Sequence, residues 1–251
     1  MQDITFSTSK LSLLAGGLVL LSWCLSAPSF GAESQPTAAQ LMQAAHDGRA
    51  VWKNFPGFRA AVTARQNGKQ ATGTVTVSAE GGVTLTLDSD AGFEWVAKTF
   101  DSMIGHRLAE SGPANTNVEF ATSDDAQHPL GRLIKSKDAT EHSLWRVQGD
   151  VFTEVHRVGP TSRFAIRVSD VYRTPEGTHL PQNFSVITWN PQTGELLKTR
   201  QVHHQWIRVG QTDLPQVWWA ATQDDKGQQI VQQLELSQIE LLDSKAITSP
   251  K

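Results

Sequence analysis

Residues 195–242 read ELLKTRQVHHQWIRVGQTDLPQVWWAATQDDKGQQIVQQLELSQIELL. Alternating apolar and polar residues in this stretch predict three strands, over residues 195–209, 216–223 and 228–242. The turn Asp224-Asp225-Lys226-Gly227 separates the last two strands, and a connection of this length joins antiparallel neighbours. The stretch therefore predicts an antiparallel meander.

The last of these strands is expected to bend. Leu234 and Leu236 share one parity along the strand, whereas Ile239 and Leu241 share the other. All four side chains can face the same side only if one extra residue is inserted between the two pairs. The sequence therefore predicts a β-bulge near residues 237–238.

The preceding chain predicts two helices and further strands. Helix one is predicted over residues 37–54, with Thr37 and Gln40 at the spacing of a capping box, and helix two over residues 92–110. Other strands are predicted over residues 60–65, 74–77, 83–87, 118–122, 130–135, 143–148, 151–158, 163–172 and 183–189. The predicted fold class is α+β, with a single large curved antiparallel β-sheet of about 11–12 strands wrapped around two helices.

Composition and motifs exclude several functional classes. The chain has 251 residues, a formal net charge of -3 and no runs of like charge, so it has no basic surface that would attract nucleic acid. The patterns GxGxxG, GxxxxGK[ST], GxSxG and HExxH are absent from the sequence. Dinucleotide, nucleotide, α/β-hydrolase and zincin chemistry therefore have no local support.

The amino-terminal region predicts export. An apolar run over residues 11–25 follows Lys10 and is shorter than the about 20 residues that a membrane-spanning helix needs. Small residues after the run place signal-peptide cleavage after Gly31, leaving residues 32–251 as a single α+β domain in the periplasm or extracellular envelope, with no membrane span. An uncleaved amino-terminal anchor is the alternative.

The only cysteine, Cys24, lies in the predicted signal peptide. Trp23 before it is too bulky for a lipoprotein attachment site, so we do not expect lipidation. The exported chain would contain no cysteine, which excludes thiol nucleophiles, CxxC redox chemistry and thiolate metal sites.

The histidines do not form a metal-binding pattern. His203 and His204 are adjacent in a predicted strand, so their side chains point to opposite faces and cannot share one metal ion. We therefore predict no metal and no cofactor. If a site exists, the inward-facing one of the two histidines is the first candidate, with Arg157 or Arg163 as a clamp for an anion.

The sequence is rich in tryptophan relative to tyrosine. The predicted mature chain has seven tryptophans but only one tyrosine, Tyr172. Trp218 and Trp219 are neighbours in a strand and must face opposite sides of it, so at least one lies off the main core or lines a concavity. Packing of the second ring under a helix is the alternative.

Several short motifs, in their order, resemble a bacterial family catalogued as domain of unknown function 3386. The resemblance extends from helix one to Leu242, and the family name implies no activity. The motifs are His128-Pro129-Leu130-Gly131-Arg132-Leu133-Ile134, Trp145-Arg146-Val147, Glu154-Val155-His156-Arg157, Arg163-Phe164-Ala165-Ile166, Leu180-Pro181 and Thr193-Gly194.

The order of elements is also similar to the LolA-type fold of periplasmic lipoprotein carriers. That fold is a half-barrel in which a curved sheet wraps helices around an apolar cavity for acyl chains. The resemblance lies in element order alone, and no carrier residue maps onto this sequence.

These observations favour a protein that binds a lipid or a lipoprotein acyl chain in the concavity of its sheet. The candidate ligand-binding residues are Trp206, Trp218, Trp219, His204 and Arg157. One alternative is a metal-free hydrolase, in which His156, His203 or His204 lies within hydrogen-bond reach of a carboxylate. Another is an envelope scaffold with an exposed apolar sheet face and no cavity.

Overall fold

The computed structural model describes residues 35–108, 114–138, 143–161 and 163–242. The predicted signal peptide and Cys24 lie outside these residues. All helices and strands belong to one unit that spans residues 36–251. The described residues contain no helix that is both long enough and apolar enough to cross a bilayer.

The described residues form two helices and twelve strands. The helices are α1 (Ala38–Asp47) and α2 (Trp95–Gly105). The strands are β1 (Phe58–Gln66), β2 (Lys69–Val77), β3 (Val83–Leu87), β4 (Val118–Phe120), β5 (Arg132–Ser136), β6 (Ser143–Gln148), β7 (Val151–Val158), β8 (Arg163–Arg173), β9 (His179–Trp189), β10 (Leu196–Val209), β11 (Thr212–Asp224) and β12 (Gln229–Leu241).

All twelve strands belong to one sheet, in the order β3-β2-β1-β12-β11-β10-β9-β8-β7-β6-β5-β4. Every pair of neighbouring strands is antiparallel. The sheet ends at β3 and β4 and does not close into a barrel. The predicted fold class, one large antiparallel sheet with two helices, is confirmed.

One face of the sheet is predominantly apolar, and we call it the inner face. Residues directly opposite each other in a ladder point to the same side, so the face can be followed across the strands. One row crosses β4 to β9 through Phe120, Ile134, Trp145, Val155, Ile166 and Val186. A second crosses β8 to β11 through Val168, Phe184, Val202 and Ala220.

Both helices pack on the inner face, where they form two separate hydrophobic clusters. The buried side of α1, including Leu41 and Met42, packs with Ile134 and Trp145 in the region of β4 to β7. The buried side of α2 packs with residues of β1 to β3 and of β10 to β12. The two clusters leave the inner face of β8 and β9 between them.

The sheet curves around α2. The helix contacts β3, and its Trp95 stacks on Trp218 of β11 with ring centroids 5.6 Å apart. In a flat sheet these strands would lie about 19 Å apart, at roughly 4.8 Å for each of the spacings between them. A helix about 10–12 Å in diameter reaches both only if the sheet wraps around it.

The bulge in the last strand is confirmed. Arg59 pairs with Glu240 but Ala61 pairs with Ser237, so β12 has an extra residue at this point. Gln238 takes it up with a φ of 52°. As a result, Leu234 and Leu236 are buried in the core, and Ile239 and Leu241 pack against the same cluster.

Both helices are shorter than predicted. The capping box of Thr37 and Gln40 is confirmed, but α1 ends at Asp47 instead of residue 54. The next residues form bridges to distant parts of the chain, Arg49 to His179 and Trp52 to Leu108. These tertiary pairings replace helical hydrogen bonds over residues 49–52. Helix α2 spans 95–105 instead of 92–110, and Leu108, three residues after its end, forms the bridge to Trp52.

Strands β9 and β11 begin earlier than predicted, because a proline is tolerated near each start. Strand β9 begins at residue 179 instead of 183, and β11 at 212 instead of 216. Pro181 pairs with Val171 and Pro215 pairs with Trp206, and each pair lies beside a register shift. A proline lacks the N–H of a regular ladder and is accommodated at such irregularities.

Gly131→Ala is expected to destabilise the fold more than Gly68→Ala. Both glycines have positive φ, 83° and 84°, so each alanine brings about 1–2 kcal/mol of backbone strain. A Cβ at Gly131 would also lie 2.1 Å from the carbonyl oxygen of Val147, whereas one at Gly68 meets nothing within 4 Å. Urea unfolding measures both free energies. Equal losses would contradict the close approach of Gly131 to β6.

Candidate functional site

A cavity of about 530 Å³ lies between α2 and the inner face of β8 to β11. It occupies the region that the two hydrophobic clusters leave between them. Its apolar walls come from both sides, because α2 contributes residues from above and the strands contribute alternate residues from below. These wall residues are Trp95, Met103, Phe152, Ile166, Val168, Val171, Pro181, Phe184, Val186, Val202 and Trp218.

Aromatic rings form one wall of the cavity. His204 stacks on Phe184 at 5.7 Å and on Trp206 at 5.0 Å between ring centroids. Trp218 lies opposite His204 in the ladder between β10 and β11, and its ring stacks on that of Trp95. Flat rings in this order give the cavity a smooth, largely apolar surface.

The remaining lining residues include several basic side chains and no acid. Among the described residues that line the cavity there is no aspartate and no glutamate. The basic side chains are Arg49, Lys98, His106, Arg107, His179, Arg200 and His204. The cavity is therefore apolar in its walls and positive in its electrostatics.

Arg107 follows α2 and is the most buried of these arginines, with 8% of its surface exposed. Its Nη1 donates to the carbonyl oxygen of His106 at 3.0 Å, and its guanidinium lies 5.3 Å from the ring centroid of Trp206. Burial, followed by the nearby charge of Arg49, lowers the pKa of Arg107 to about 10, so the group stays protonated at neutral pH. No carboxylate of the described residues forms an ion pair with it.

Arg200 lies in β10 on the same face as Val202 and His204. Its Nη2 donates to Oε1 of Gln232 at 3.3 Å, and its guanidinium lies 5.1 Å from the ring centroid of Trp218. Burial lowers the pKa of Arg200. Arg200 and Arg107 therefore lie beside different rings of the cavity wall, Trp218 and Trp206.

Two histidines near Arg107 are buried and face this cavity. Burial, with smaller contributions from Arg107 and His203, lowers the pKa of His204 to about 3, so its imidazole is neutral. Burial also lowers the pKa of His179. The Nδ1 atom of His179 lies 3.9 Å from Oδ2 of Asp150, which is beyond hydrogen-bond distance.

Buried nitrogen atoms without a hydrogen-bond partner are concentrated here. Among the described residues there are five such atoms, and every one belongs to a residue that lines the cavity. They are Nε1 of Trp95, Nε of Arg107, Nδ1 of His179, Nε of Arg200 and Nδ1 of His204. Because buried polar groups are nearly always paired, this concentration points to a binding site.

The structure separates the residues predicted from the sequence. Trp218 and His204 line the cavity, and Trp206 stacks behind His204. Trp219 lies on the outer face of the sheet, where it stacks on His203 at 5.8 Å. Arg157 lies over the ring of Trp145, 5.1 Å from its centroid, and is not among the residues that line the cavity.

The carboxylate partners expected for a hydrolase are not found at the cavity. His156 Nε2 lies 3.5 Å from Oε2 of Glu154, but neither residue lines the cavity. Glu154 also pairs with Arg146 and Arg167, which neutralise it. His203 Nδ1 bonds Oδ1 of Asn183 at 2.8 Å. The part of the chain that the structure describes contains no group of histidine, cysteine and acidic residues that could hold a metal ion.

Sequence reasoning missed Arg107, Arg200 and Trp95. Arg200 has the parity of His204 along its strand, so the two-residue period could have placed both on one face. Arg107 and Trp95 gave no such signal, because their approach to the sheet depends on where α2 crosses it.

Comparisons with known proteins give a family but no activity. The family model described as "Protein of unknown function (DUF3386)" matches residues 33–242. The comparison with curated proteins gave no match.

Two solved structures are similar to this chain. A LolA superfamily protein from Nitrosomonas europaea is 11% identical, with a TM-score of 0.32, over 85% of this chain and 98% of that one. A DUF1329 family protein from Desulfovibrio piger is 6% identical, with a TM-score of 0.28, over 84% of this chain and 93% of that one. At these scores the function has to be derived from the cavity itself.

Acid is expected to destabilise the protein through His204. The unfolded chain takes up a proton near the ordinary pKa of 6.5, but the folded chain does so only near 3. His204 therefore leaves the free energy of unfolding unchanged above pH 6.5. Between pH 6.5 and about 3 it lowers that free energy by about 1.4 kcal/mol for each unit of pH decrease. His106 and His179 act in the same direction, because burial lowers their pKa values too. Urea unfolding should therefore compare how steeply the free energy of unfolding changes with pH in the unaltered protein and in a variant. His204→Phe should reduce this pH dependence by about 1.4 kcal/mol per pH unit, which corresponds to one proton fewer taken up on unfolding.

His203→Phe places the same ring on the outer face and serves as the control. An equal change of slope in both variants would contradict the assignment to the buried His204.

Proposed function

The chain belongs to the DUF3386 family, and we propose that it binds an apolar ligand, a lipid or an acyl chain, in the cavity under α2. The observation that carries this proposal is the cavity of about 530 Å³ with apolar walls on both sides. Its volume lies within the roughly 300–1,000 Å³ typical of small-molecule sites. The cavity also lies between the two hydrophobic clusters, with α2 on one side and the inner face of the sheet on the other.

The walls suit a flexible hydrocarbon. Met103 adapts its shape to a ligand, while Trp218 and Phe184 offer flat surfaces. Each methylene that moves from water into such a site contributes about 0.8 kcal/mol. An acyl chain therefore gains enough free energy to offset the loss of its own motion on binding.

Filling the cavity is expected to abolish binding. Val186 lines the cavity, and Ile187, the next residue of β9, points to the other face of the sheet. Val186→Trp should weaken binding of a fluorescent fatty acid at least about tenfold, because the indole occupies the ligand's space. Ile187→Trp is the matched control and should bind as the unaltered protein does.

Both variants need a check of folding by circular dichroism. Equal binding by the unaltered protein and by Val186→Trp would rule out this cavity as the site. The absence of bound lipid in protein purified from its own host, together with no fatty-acid binding, would rule out the function.

Export is the second element of the proposal. The apolar run over residues 11–25 and the small residues that follow it support cleavage after Gly31. We expect intact-mass spectrometry of protein from the envelope fraction to give the mass of a chain that begins at Ala32. A mass that retains the first 31 residues would support an uncleaved anchor instead.

A further inference from the structure

The residues Arg107, His179 and His204 are buried at one end of the cavity, which we call the closed end. The segment 49–52 borders this end. Its Ala50 N–H donates to the carbonyl oxygen of His179 at 2.8 Å, which ties it to the start of β9. Its Trp52 N–H donates to the carbonyl oxygen of Arg107 at 2.6 Å, which ties it to the residues after α2. The segment therefore spans the gap between sheet and helix, and whatever lies at this end is shielded from solvent.

Two arginines, Arg49 and Arg107, lie with three histidines at this closed end, and no acid is among the described lining residues. The charge of Arg107 acts on His106, His179 and His204, and that of Arg49 acts on Arg107. Asp150 is the nearest carboxylate to His179, and it is bound by Arg173 through both oxygens. The cluster therefore has the charge and the donors to hold an anion.

Three buried nitrogen atoms at this end have no hydrogen-bond partner. Nε of Arg107, Nδ1 of His179 and Nδ1 of His204 have no hydrogen bond, and the three residues are only 8%, 6% and 5% exposed. A buried charge without a partner destabilises a fold by several kcal/mol, and a bound anion would remove that cost. The unpaired donor of Arg107 is therefore explained by a ligand group that occupies this end.

We propose that the ligand is a long-chain carboxylic acid and that Arg107 binds its carboxylate at the closed end of the cavity, with the hydrocarbon chain extending along β9 and β10 past Trp218. This inference rests on the proposed function and names its ligand class. A volume in the lower half of the usual range suits one acyl chain better than two. The planar guanidinium matches a carboxylate in shape and offers two parallel donors.

Arg200 is a weaker candidate for the same role. It is only partly buried, and Gln232 already accepts a hydrogen bond from its Nη2. It lies beside Trp218, whereas Arg107 lies beside Trp206 among the buried histidines. Arg200→Met therefore serves as the matched control for Arg107→Met, since both remove one arginine from the lining.

The test compares three ligands that share a twelve-carbon chain: dodecanoate, dodecyl phosphate and dodecanol. Each displaces a fluorescent fatty acid from the delipidated protein, from Arg107→Met and from Arg200→Met. We expect dodecanoate to bind about tenfold to hundredfold more tightly than dodecanol, as a charge-assisted hydrogen bond predicts. Arg107→Met should remove this preference while its affinity for dodecanol stays unchanged, and Arg200→Met should keep most of it.

Each outcome has a definite meaning. Equal affinities for dodecanoate and dodecanol in the unaltered protein overturn the carboxylate inference but leave the proposed function intact. A preference for dodecyl phosphate over dodecanoate overturns the choice of acid and assigns a phosphate head group. A preference that survives Arg107→Met overturns the role of Arg107. If no ligand binds and no lipid co-purifies, the proposed function itself fails.

The thermal stability of the variants separates binding from structure. Because Arg107 is an unpaired buried cation, Arg107→Met without ligand should melt no lower than the unaltered protein, and dodecanoate should raise its Tm less. A structural role predicts a lower Tm with an unchanged ratio of affinities. If the methionine variant does not fold, Arg107→Lys keeps the charge, and a retained preference for dodecanoate over dodecanol is then required.

Discussion

The apolar inner face of one twelve-stranded sheet has to be covered, and two short helices cannot cover it. Twelve strands span about 50 Å at roughly 4.8 Å each, whereas helices of 10 and 11 residues are only about 15–17 Å long. Helix α1 covers the region of β4 to β7, and α2 covers the two ends that curl towards it. Between these two regions, the inner face of β8 and β9 forms one wall of the cavity, and α2 forms the other.

The helices are too short for the inner face because of where they end. The apolar stripe of α1 predicted a helix that continues to residue 54, but the helix ends at Asp47. Instead, residues 49–52 leave the helix and bond to His179 and Arg107. The same bonds that shorten the helix close one end of the cavity. Local helix preference yields here to tertiary pairing, which a periodic pattern cannot reveal.

The strands were predictable because each carries its own signal. The two-residue period and the turn residues placed most strand ends within a few residues of their positions, and the parity change after Leu236 located the bulge in β12. The candidate site was only partly predictable. Trp218 and His204 could be assigned to a face from strand period alone, but which face was inner depended on the helices. Arg107 lies after a helix whose crossing of the sheet has no local signal.

The distribution of charge between the two faces supports a ligand more than a structural origin of the cavity. On the outer face, the buried carboxylate of Glu154 forms ion pairs with Arg146 and Arg167, one on each neighbouring strand. The sequence has 25 acidic residues, so acids were available for the inner face too. None of the described residues that line the cavity is acidic, although Arg107 is buried there.

An acid beside Arg107 would stabilise the empty protein, because it would pair a buried cation. The same acid would repel an anionic ligand and compete for the guanidinium donors. Omitting it makes the empty cavity less stable and the occupied one more favourable, which is the free-energy difference that binding requires. An unpaired cation at the closed end of an apolar cavity is therefore what selection for an anionic amphiphile would retain, and selection for stability alone would remove it.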